Sequence, residues 1–511
     1  ASAEHSDTPD SAPAVPANTE SIPETEPADP YADIDLSGMA LRFLNYEGRL
    51  WNTMSILDFP ELTGVGLDDA VYNRNRTLED KLNMKIVVTE TTALQGMLTK
   101  SVSAGEDTFD AVYTMSDDIS ANVTGGNLLN LYDIPTLPLE ETWWEPGFNT
   151  RMTLENKYLY EVSSPIHLMA MDMTVACYFN AEILTDHGVP LPYDTVREGK
   201  WTYDAMYAAM TPCLSLNGDE AFTPKAMNAT FGVATFNGWI GVMATVPDAL
   251  VQQDENGTPY FAGATERLYS AMDAMTKLFD GDGYMITNST DMDYDKCFLN
   301  ERAAFSIISI GNASVFRDMD AAYGILPIPK YLETDADSSP IGSTLLLGIP
   351  VTCRNRDNVG IALNAMARWS YENILPVYYE SLCYKGLRDE DSIDMLDRIH
   401  QSRTADLGRI YGWTGNLLSD LGGRIAANKG DYASLLAKNE EKIQKNIEKA
   451  GKDSMVKSMI RLTNGLRNVG IDVKKKVFKD IYESLGGKLR IIVSAAAPID
   501  PAVGKWLVDI G

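Results

Sequence analysis

Early in the chain, short apolar runs alternate with longer stretches of helical periodicity, and few folds accommodate that order. Strands are predicted at 40–44, 84–88 and 109–113, with helices at 71–82 and 94–104 between them. Strands that alternate with helices form βαβ units, because a crossover helix returns the chain to the same edge of the sheet. The sequence therefore predicts an α/β fold on a largely parallel sheet, with any ligand beyond the carboxyl ends of the strands.

The composition is that of an ordinary globular protein, and its charge argues against one class of partner. The chain has 511 residues, of which 45% are hydrophobic and 23% charged, and this length suits two or three domains. Its net charge of −29 repels phosphate backbones, so we expect no nucleic-acid partner. No run of about 18 apolar residues predicts a membrane-spanning helix. The chain begins at Ala1 rather than at Met, as a processed chain would.

The N-terminal segment, residues 1–38, differs in composition from the rest of the chain. Up to residue 36 it contains six prolines and nine carboxylates but neither Lys nor Arg. Such a stretch buries too little apolar surface to offset the entropy of ordering it. We therefore predict a disordered acidic tether over 1–38, followed by a folded body over 39–450.

Thiols and imidazoles are scattered, and their spacing matches no zinc or disulfide motif. The acidic run at 291–295 begins like a calcium loop, but Lys296 stands where that loop needs glycine and Arg302 where it needs a bidentate Glu. We therefore expect no metal, no cofactor and no catalytic residue, and we expect the cysteines to be buried or idle thiols. The cysteines are Cys177, Cys213, Cys297, Cys353 and Cys383.

Seven stretches of the body, in this order, resemble the extracellular solute-binding proteins of ABC transporters, in particular the large type that carries sugars. Among them are Gly-Lys-Trp-Thr at 199–202, which by itself also marks a helix start capped by Thr202, and Tyr-Gly-Ile-Leu-Pro-Ile-Pro at 323–329. One stretch departs from the family, with Asn-Glu-Arg at 300–302 in place of the commoner glycine-centred turn. The stretches are residues 73–82, 105–112, 126–131, 177–190, 199–204, 298–305 and 323–330.

The resemblance implies a two-lobed periplasmic-binding-protein-like fold of type II. One lobe would comprise about 39–160 plus part of 300–370, and the other about 180–300 plus the C-terminal helices. Such lobes hinge shut on a ligand, and the importer's membrane subunits recognise the closed form. The resemblance further implies a protein that is not an enzyme, is monomeric, and is lipid-anchored to the outer face of the bacterial cell membrane.

A sugar ligand requires flat apolar faces for stacking and fixed polar groups for its hydroxyls. Residues of both kinds follow the predicted strands, lie beside Trp239 in an apolar segment, or lie beside Trp413 in a polar stretch. The candidate ligand contacts are Asn45, Tyr46, Glu47, Asp117, Asp118, Asn237, Trp239, Asn312, Tyr411 and Trp413.

A structural role stays open for several of these candidates. Trp239 and Trp413 also suit a core, Asp117 and Asp118 also suit a helix cap, and Glu47 also suits solvated surface. The ligand class stays open as well, because peptides and other polar solutes are alternatives to carbohydrate.

Residues 451–511 form a basic segment on an acidic chain, with eleven Lys or Arg and six Asp or Glu. The stretch at 485–499 resembles AMP-forming long-chain acyl-CoA synthetases, with Ala495 in place of a common glycine. The sequence offers no counterpart to the phosphate loop or lid of those enzymes, which adenylation needs. We therefore expect a short foreign α/β fragment, fused near Gly451, inactive and poorly packed against the body.

Two other functions stay open. One is a surface glycan-binding protein that uses the same lobes without an importer. The other is a fatty acid–CoA ligase, which only the segment after residue 450 supports.

Overall fold

The computed structural model describes residues 30–468, apart from 52, 224–225, 264, 280–282, 287–293 and 384–389. Within this part the chain forms two five-stranded sheets, whose strands we number in chain order. Across the first sheet the strands are β2 (Met84–Thr91), β1 (Met39–Tyr46), β3 (Ala111–Met115), β13 (Leu345–Gly348) and β4 (Glu161–Val162).

The second sheet is built from the middle of the chain, and two short ribbons accompany the sheets. Across the second sheet the strands are β11 (Tyr323–Leu326), β5 (Val175–Asn180), β10 (Ala303–Ser309), β6 (Phe231–Thr235) and β9 (Tyr284–Ile286). The ribbons pair β7 (Val251–Gln253) with β8 (Pro259–Phe261), and β12 (Ser339–Pro340) with β14 (Arg403–Thr404).

Helices cover both sheets and dominate the chain after β13. A π-helical turn at Ser370–Ile374 joins two of them. The helices are α1 (Gly66–Leu82), α2 (Leu94–Ala104), α3 (Ile119–Gly125), α4 (Pro146–Met152), α5 (Met169–Asp172), α6 (Ala181–Asp186), α7 (Tyr193–Arg197), α8 (Tyr203–Met210), α9 (Asn237–Ala244), α10 (Glu266–Thr276), α11 (Tyr294–Leu299), α12 (Ala313–Phe316), α13 (Arg356–Trp369), α14 (Leu375–Cys383), α15 (Glu390–Gln401), α16 (Leu407–Ile410), α17 (Leu417–Ala426) and α18 (Tyr432–Asn468).

Both sheets mix parallel and antiparallel pairs, which corrects the prediction of a largely parallel sheet. Strand β1 runs parallel to β2 and β3, as βαβ units require. Strand β13 then enters antiparallel to both β3 and β4, because the chain reaches it from the second sheet rather than through a local crossover helix. In the second sheet, β10 is parallel to β6 but antiparallel to β5.

Local sequence accounts for several element boundaries. Helix α2 has the bounds predicted for it, since Gly105 follows with a φ of +71°, a left-handed conformation that ends helices. The predicted cap Thr202 starts helix α8, where its hydroxyl accepts the N–H of Ala205 at 3.3 Å. Helix α1 begins at Gly66, earlier than the predicted residue 71.

The chain packs onto the body earlier than residue 39, so the predicted tether is too long at its C-terminal end. Tyr31 is 6% exposed, with its ring 6.3 Å from that of Trp369, and Leu36 is buried. The backbone N–H of Leu36 donates to the carbonyl of Leu82 at 2.8 Å. These apolar side chains and this bond outweigh the acidic composition of residues 30–38, whereas residues 1–29 lie outside the described part.

Two segments carry the chain between the sheets. The first links β4 to β5 through α5, and the second, residues 327–344, links β11 to β13. The two touch, because Thr174 and Ile341 form an antiparallel bridge and the N–H of Gly342 donates to the carbonyl of Met173 at 2.8 Å. The body therefore crosses between its sheets through paired segments, the arrangement of a hinge.

Helices α17 and α18 join the end of the body to both sheets. Helix α17 packs on α9 so closely that a Cβ on Gly422 would overlap the carbonyl oxygen of Asn237. Helix α18 is hydrogen-bonded to helix α10 of the second-sheet region, because Tyr432 Oη lies 3.1 Å from Thr276 Oγ1. It also packs against α3, beside the first sheet. It continues through Gly451 to Asn468, while 469–511, which include most of the synthetase-like segment, lie outside the described residues.

Candidate functional site between the two sheets

The parallel strands of both sheets end at facing edges, and a groove of about 790 Å³ lies between those edges. From the first sheet, the segment after β1 contributes Arg49 and Met54 to the wall of the groove, and the first turn of helix α1 contributes Asp68. From the second sheet, the segment after β10 contributes Gly311 and Ser314. The groove therefore lies where ligands bind in open α/β sheets, and its volume suits a small ligand.

One wall of the groove carries an ion pair with a partly free cation. Arg49 Nη2 lies 2.8 Å from a carboxylate oxygen of Asp68. The Arg49 side chain is 42% exposed, whereas that of Asp68 is 11% exposed. Nη1 of Arg49 also donates to the Sδ of Met54 at 3.2 Å, and the remaining N–H donors of the guanidinium have no protein acceptor among the described residues.

The floor of the groove carries the buried carboxylate of Asp172, in the first crossing segment. It accepts the backbone N–H of Met54 at 2.6 Å and the hydroxyl of Tyr378 at 2.7 Å. Burial raises the pKa of Asp172 to about 6, against the lowering effects of those two bonds and of Arg49. Asp172 thus ties the hinge both to the loop after β1 and to helix α14.

A second polar region lies beside the groove, and we call Asp117, Ser343, Asp406 and Arg409 the polar cluster. The hydroxyl of Ser343 donates to the carboxylate of Asp117 at 3.1 Å, which links the end of β3 to the second crossing segment. Asp406 caps helix α16 by accepting the N–H of Arg409 at 2.8 Å. The Arg409 guanidinium lies 3.5 Å from Ser343 Oγ and is attracted by both Asp117 and Asp406.

Several enclosed polar atoms at the polar cluster have no hydrogen-bond partner among the described residues. They include the Oδ2 of Asp406, the Nε of Arg409 and the Oγ1 of Thr414, and the Nε1 of Trp239, in helix α9, is likewise without a partner among the described residues. Trp239 is 7% exposed and Thr414 is 6% exposed. Buried donors and acceptors are nearly always paired, with protein or ordered water, so these four enclosed atoms are places where a bound water would supply the missing partner.

The groove and the polar cluster are neighbours across the crossing segments. A Cβ on Gly342 would lie 2.8 Å from the ring of Trp239 and 2.9 Å from the methyl group of Met173. Met173 follows the groove residue Asp172, and Gly342 precedes Ser343 of the polar cluster. The groove and the polar cluster therefore adjoin the same contact between the two crossing segments.

The structure brings three of the sequence-predicted residues together. The carbonyl oxygen of Asp117 lies close under Gly412, between Tyr411 and Trp413. The rings of Tyr411 and Trp413 stack with centroids 4.7 Å apart, and Trp413 Nε1 donates to Ser120 Oγ at 3.1 Å. Both rings are buried, at 0% and 2% exposure, so they brace the polar cluster from behind.

The remaining predicted residues are distributed along the strand ends. Asn45 donates to the carbonyl of Ser55 at 2.8 Å, and Asn312 donates to Ser309 Oγ at 2.9 Å. Asn237 is buried at the start of α9, where its Oδ1 has no partner among the described residues. Tyr46 and Asp118 are half-buried, and Glu47 is exposed. Their contact with a ligand stays a prediction.

Sequence reasoning missed Arg49, Asp172 and Arg409, which carry much of the charge of the site. Arg49 comes only two residues after the predicted Glu47, so a longer window after the first strand would have included it. Asp172 lies in a short helix among methionines, Met169, Met171 and Met173. A carboxylate in such an apolar stretch needs a partner, and that was the available signal.

Three further findings bear on the chemistry of the site. Among the described residues, no group of three or more His, Cys, Asp or Glu side chains is placed to hold a metal ion. The thiols of Cys177, Cys213, Cys297 and Cys353 are free and buried. No helix within the described ranges has the length and apolar character that crossing a membrane requires. Of the acidic run at 291–295, residues 291–293 lie outside the described residues.

Comparison with known proteins gives structural likenesses only. No family model and no curated protein matches the chain. An ABC substrate-binding protein from Listeria monocytogenes, in complex with cycloalternan, is 12% identical with a TM-score of 0.52, over 80% of this chain and 99% of its own. The galacto-N-biose-/lacto-N-biose I-binding protein of the ABC transporter from Bifidobacterium longum, with lacto-N-biose, is 10% identical with a TM-score of 0.55, over 82% and 98%.

A sugar transporter protein from Rhizobium etli, in an open conformation, has a TM-score of 0.54 at 13% identity, over 80% of this chain and 99% of its own. At such identities the likeness establishes the fold. The chain has the two-lobed, periplasmic-binding-protein-like α/β fold that its sequence predicts.

Proposed function

We propose that this protein is the substrate-binding component of an ABC importer, which encloses a mono- or oligosaccharide between its two lobes and does no chemistry on it. The observation that carries the proposal is the position of the site. The groove is lined by residues that follow β1 of the first sheet, by residues that follow β10 of the second, and by Asp172 of the first crossing segment. A ligand held there touches both lobes at once, so its binding free energy favours closure of the hinge.

The chemistry of the site supports a sugar. Hydroxyl groups both donate and accept, and the groove offers both kinds of partner, in the guanidinium of Arg49 and the carboxylates of Asp68 and Glu380. The fold supports it too, since two of the structural neighbours contain cycloalternan and lacto-N-biose. As partners we propose the membrane subunits of an importer, and as location the outer face of the cell membrane, with a lipid anchor.

We further propose two discontinuous lobes, as the sequence suggested, with one change of bounds. The first lobe would comprise about 39–160 plus the part of 300–370 that begins near β13. The second would extend from about 175 to 326, beyond the predicted residue 300, because β10 and β11 belong to its sheet, and would also include C-terminal helices. Residues 451–511 would be an inactive synthetase-like addition, although its first part continues helix α18. Under this proposal, removing residues 469–511 leaves ligand binding unchanged.

Thermal shift against a panel of neutral mono- and oligosaccharides tests the proposal. Because a ligand at 100 times its Kd stabilises the folded state by about 2.7 kcal/mol, a bound sugar raises Tm by several degrees. ATP with a fatty acid serves as the control and is expected to leave Tm unchanged. Two results would overturn the proposal. One is formation of an acyl-adenylate by the purified protein, and the other is a Tm that rises with peptides but with none of the sugars.

Two variants test whether the ligand binds near Trp239. Trp239→Ala removes an aromatic face and an unpartnered donor, and isothermal titration is expected to show affinity lowered at least tenfold, since aromatic faces and buried hydrogen bonds each contribute about 1 kcal/mol or more. Trp143→Ala is the control, because Trp143 is half-buried against helix α13, where it bonds to Asn364. Equal losses in both variants would show that the loss comes from the fold rather than the site.

A further inference from the structure

A second cavity lies against the second crossing segment and shares no lining residue with the groove. Its volume is about 350 Å³, which lies within the range of small-ligand sites. Its wall includes residues 328–331 and 335–338 of the crossing segment, residues 401–404, Arg151 at the end of α4, and Arg267 in the first turn of α10. Because these segments are far apart in sequence, the cavity exists only in the folded protein.

The wall of this cavity is rich in cationic side chains, although the chain as a whole has a net charge of −29. The cations are Arg151, Arg267, Lys330 and Arg403, and the carboxylates in the wall are Asp335 and Asp337. A further carboxylate, that of Glu145, forms an ion pair with Arg403. Four positive charges therefore face three negative charges, and the cavity has a local excess of positive charge.

Two of the four cations are neutralised by protein at close range. Arg267 Nη2 lies 2.6 Å from a carboxylate oxygen of Asp335. Arg403 pairs with Glu145, and its Nη2 donates to the carbonyl of Ala170 at 2.9 Å. These two arginines are committed to the wall, so a ligand in the cavity would be held by the other two cations.

Arg151 and Lys330 keep N–H donors that no described residue accepts. Arg151 is exposed and donates from Nη1 to Thr404 Oγ1 at 2.8 Å, but it forms no ion pair with a described residue. The Lys330 side chain is 7% exposed, and its Nζ donates to the carbonyl of Glu333 at 3.1 Å. The carboxylate of Asp337 is 3.8 Å from that Nζ, too far for a hydrogen bond. A buried ammonium with unfilled donors favours an anionic acceptor beside it.

We propose that this cavity is a second binding site, for a small oxyanion of the phosphate or carboxylate type, held by Arg151 and Lys330. Phosphate and carboxylate oxygens accept charge-assisted hydrogen bonds from guanidinium and ammonium groups, and a guanidinium can engage two such oxygens at once. Asp335 is neutralised by Arg267, so Asp337 is the lining carboxylate that opposes an anion, and Arg151 with Lys330 outnumber it. The proposal does not depend on what the groove binds.

Thermal unfolding of the full chain tests the proposal, with inorganic phosphate and citrate as probes. At about 1 to 10 mM they are too dilute for the general stabilisation that such salts give at high concentration. Because an anion that binds the folded state alone raises Tm until the site is saturated, we expect a saturable rise with at least one probe. Sodium chloride of the same ionic strength is the control and is expected to give a smaller rise without saturation.

Matched variants locate the anion. Arg151→Gln removes an exposed cation without breaking an ion pair, and we expect the affinity for the anion to fall at least about tenfold, since hydrogen bonds to charged groups are the strong ones. Arg317→Gln is the control, because Arg317 is also exposed and without an ion pair to a described residue, but it lines the groove. It makes the same change in net charge and is expected to leave the affinity unchanged.

Lys330→Met keeps a long apolar side chain in the buried position and is expected to abolish the saturable rise. If this variant does not fold, the comparison of Arg151→Gln with Arg317→Gln decides the question alone.

Three results would overturn the proposal. They are a Tm that responds to phosphate and citrate no more than to sodium chloride, a response that is the same in wild type and Arg151→Gln, and a response that is lost in Arg317→Gln. None of them bears on the binding of sugars in the groove, so the receptor function stands or falls by its own test.

Discussion

The hydroxyl of Tyr378 donates to the carboxylate of Asp172 at 2.7 Å, and this bond joins the C-terminal helices to the chain between the two sheets. The same carboxylate accepts the N–H of Met54, so three separate parts of the chain meet at one buried charge. Because Asp172 lies in a crossing segment, its ionisation and its partners affect the part of the molecule that the proposed closure of the lobes would bend.

The first prediction concerns Asp172 and pH. Burial raises the pKa of Asp172 from 3.8 to about 6, so the folded state holds this proton more tightly than the unfolded state does. Its contribution to stability is therefore complete below pH 3.8 and falls by about 1.4 kcal/mol per pH unit until pH 6. In Asp172→Asn this dependence is expected to vanish, as urea unfolding at pH 4.5, 5.5 and 6.5 can measure. A constant difference between the two proteins at all three values would contradict it.

The second prediction concerns Tyr378. Tyr378→Phe removes the donor to a buried carboxylate and is expected to destabilise the fold by about 1 to 3 kcal/mol at pH 7, where Asp172 is ionised. At pH 4.5 the loss is expected to be smaller, because the protonated carboxyl needs that donor less. Tyr371→Phe is the control, since Tyr371 is 37% exposed. Equal losses at both pH values would assign the effect to packing alone.

The third prediction concerns Glu161 in β4. Its Oε1 accepts from Thr114 Oγ1 at 2.7 Å and from Asn122 Nδ2 at 3.2 Å, while its enclosed Oε2 has no partner among the described residues. Burial raises the pKa of Glu161 to about 8, so its ionisation costs stability as pH rises from 4.5 to 8.

Glu161→Gln keeps the accepting oxygen but cannot ionise. Its stability relative to wild type is therefore expected to increase by about 1.4 kcal/mol per pH unit over that interval. Guanidinium unfolding at pH 5 and pH 8 measures the difference in the free energy of unfolding. If the variant is less stable relative to wild type at pH 8 than at pH 5, the folded state favours the charged form of Glu161, and the prediction is wrong.

The fourth prediction concerns the contact between α9 and α17. Gly422→Ala would drive a methyl group into the carbonyl oxygen of Asn237. We expect the free energy of unfolding to fall by about 3 kcal/mol or more, the upper end of the range for overpacked cores. Gly96→Ala in α2 meets no atom within 4 Å and is expected to stabilise by about 1 kcal/mol. Thermal unfolding compares the two, and a tolerated Gly422→Ala would show that the helices can separate.

Much of the fold was accessible from the sequence because it depends on local periodicity. Strands β1, β2 and β3 and helix α2 each follow from the pattern of apolar residues and from glycine at a helix end. The position of β13 was not accessible, since four apolar residues at 345–348 carry no information about which sheet they join. The antiparallel pairs of both sheets were missed for that reason.

The site was only partly accessible because it is assembled by segments distant in sequence. Asp117 was predicted since it follows a strand, and Trp239 because it combines an aromatic face with polar neighbours. Arg409 lies 292 residues after Asp117 and lacks any periodic pattern around it. Its role depends on Ser343, which reaches the site only when the second crossing segment returns to the first sheet.

The place of β13 between β3 and β4 has a consequence for the order in which the molecule can form. A nascent chain ending anywhere before residue 345 lacks the strand that separates β3 from β4, so its first sheet cannot close. The intervening second sheet has no such dependence, since all five of its strands lie between residues 175 and 326. The second sheet, although it is synthesised later, can therefore form before the first sheet is complete. The edge of β3 that pairs with β13 stays unpaired until residue 348 has been made, and an unpaired strand edge of this kind promotes aggregation during synthesis.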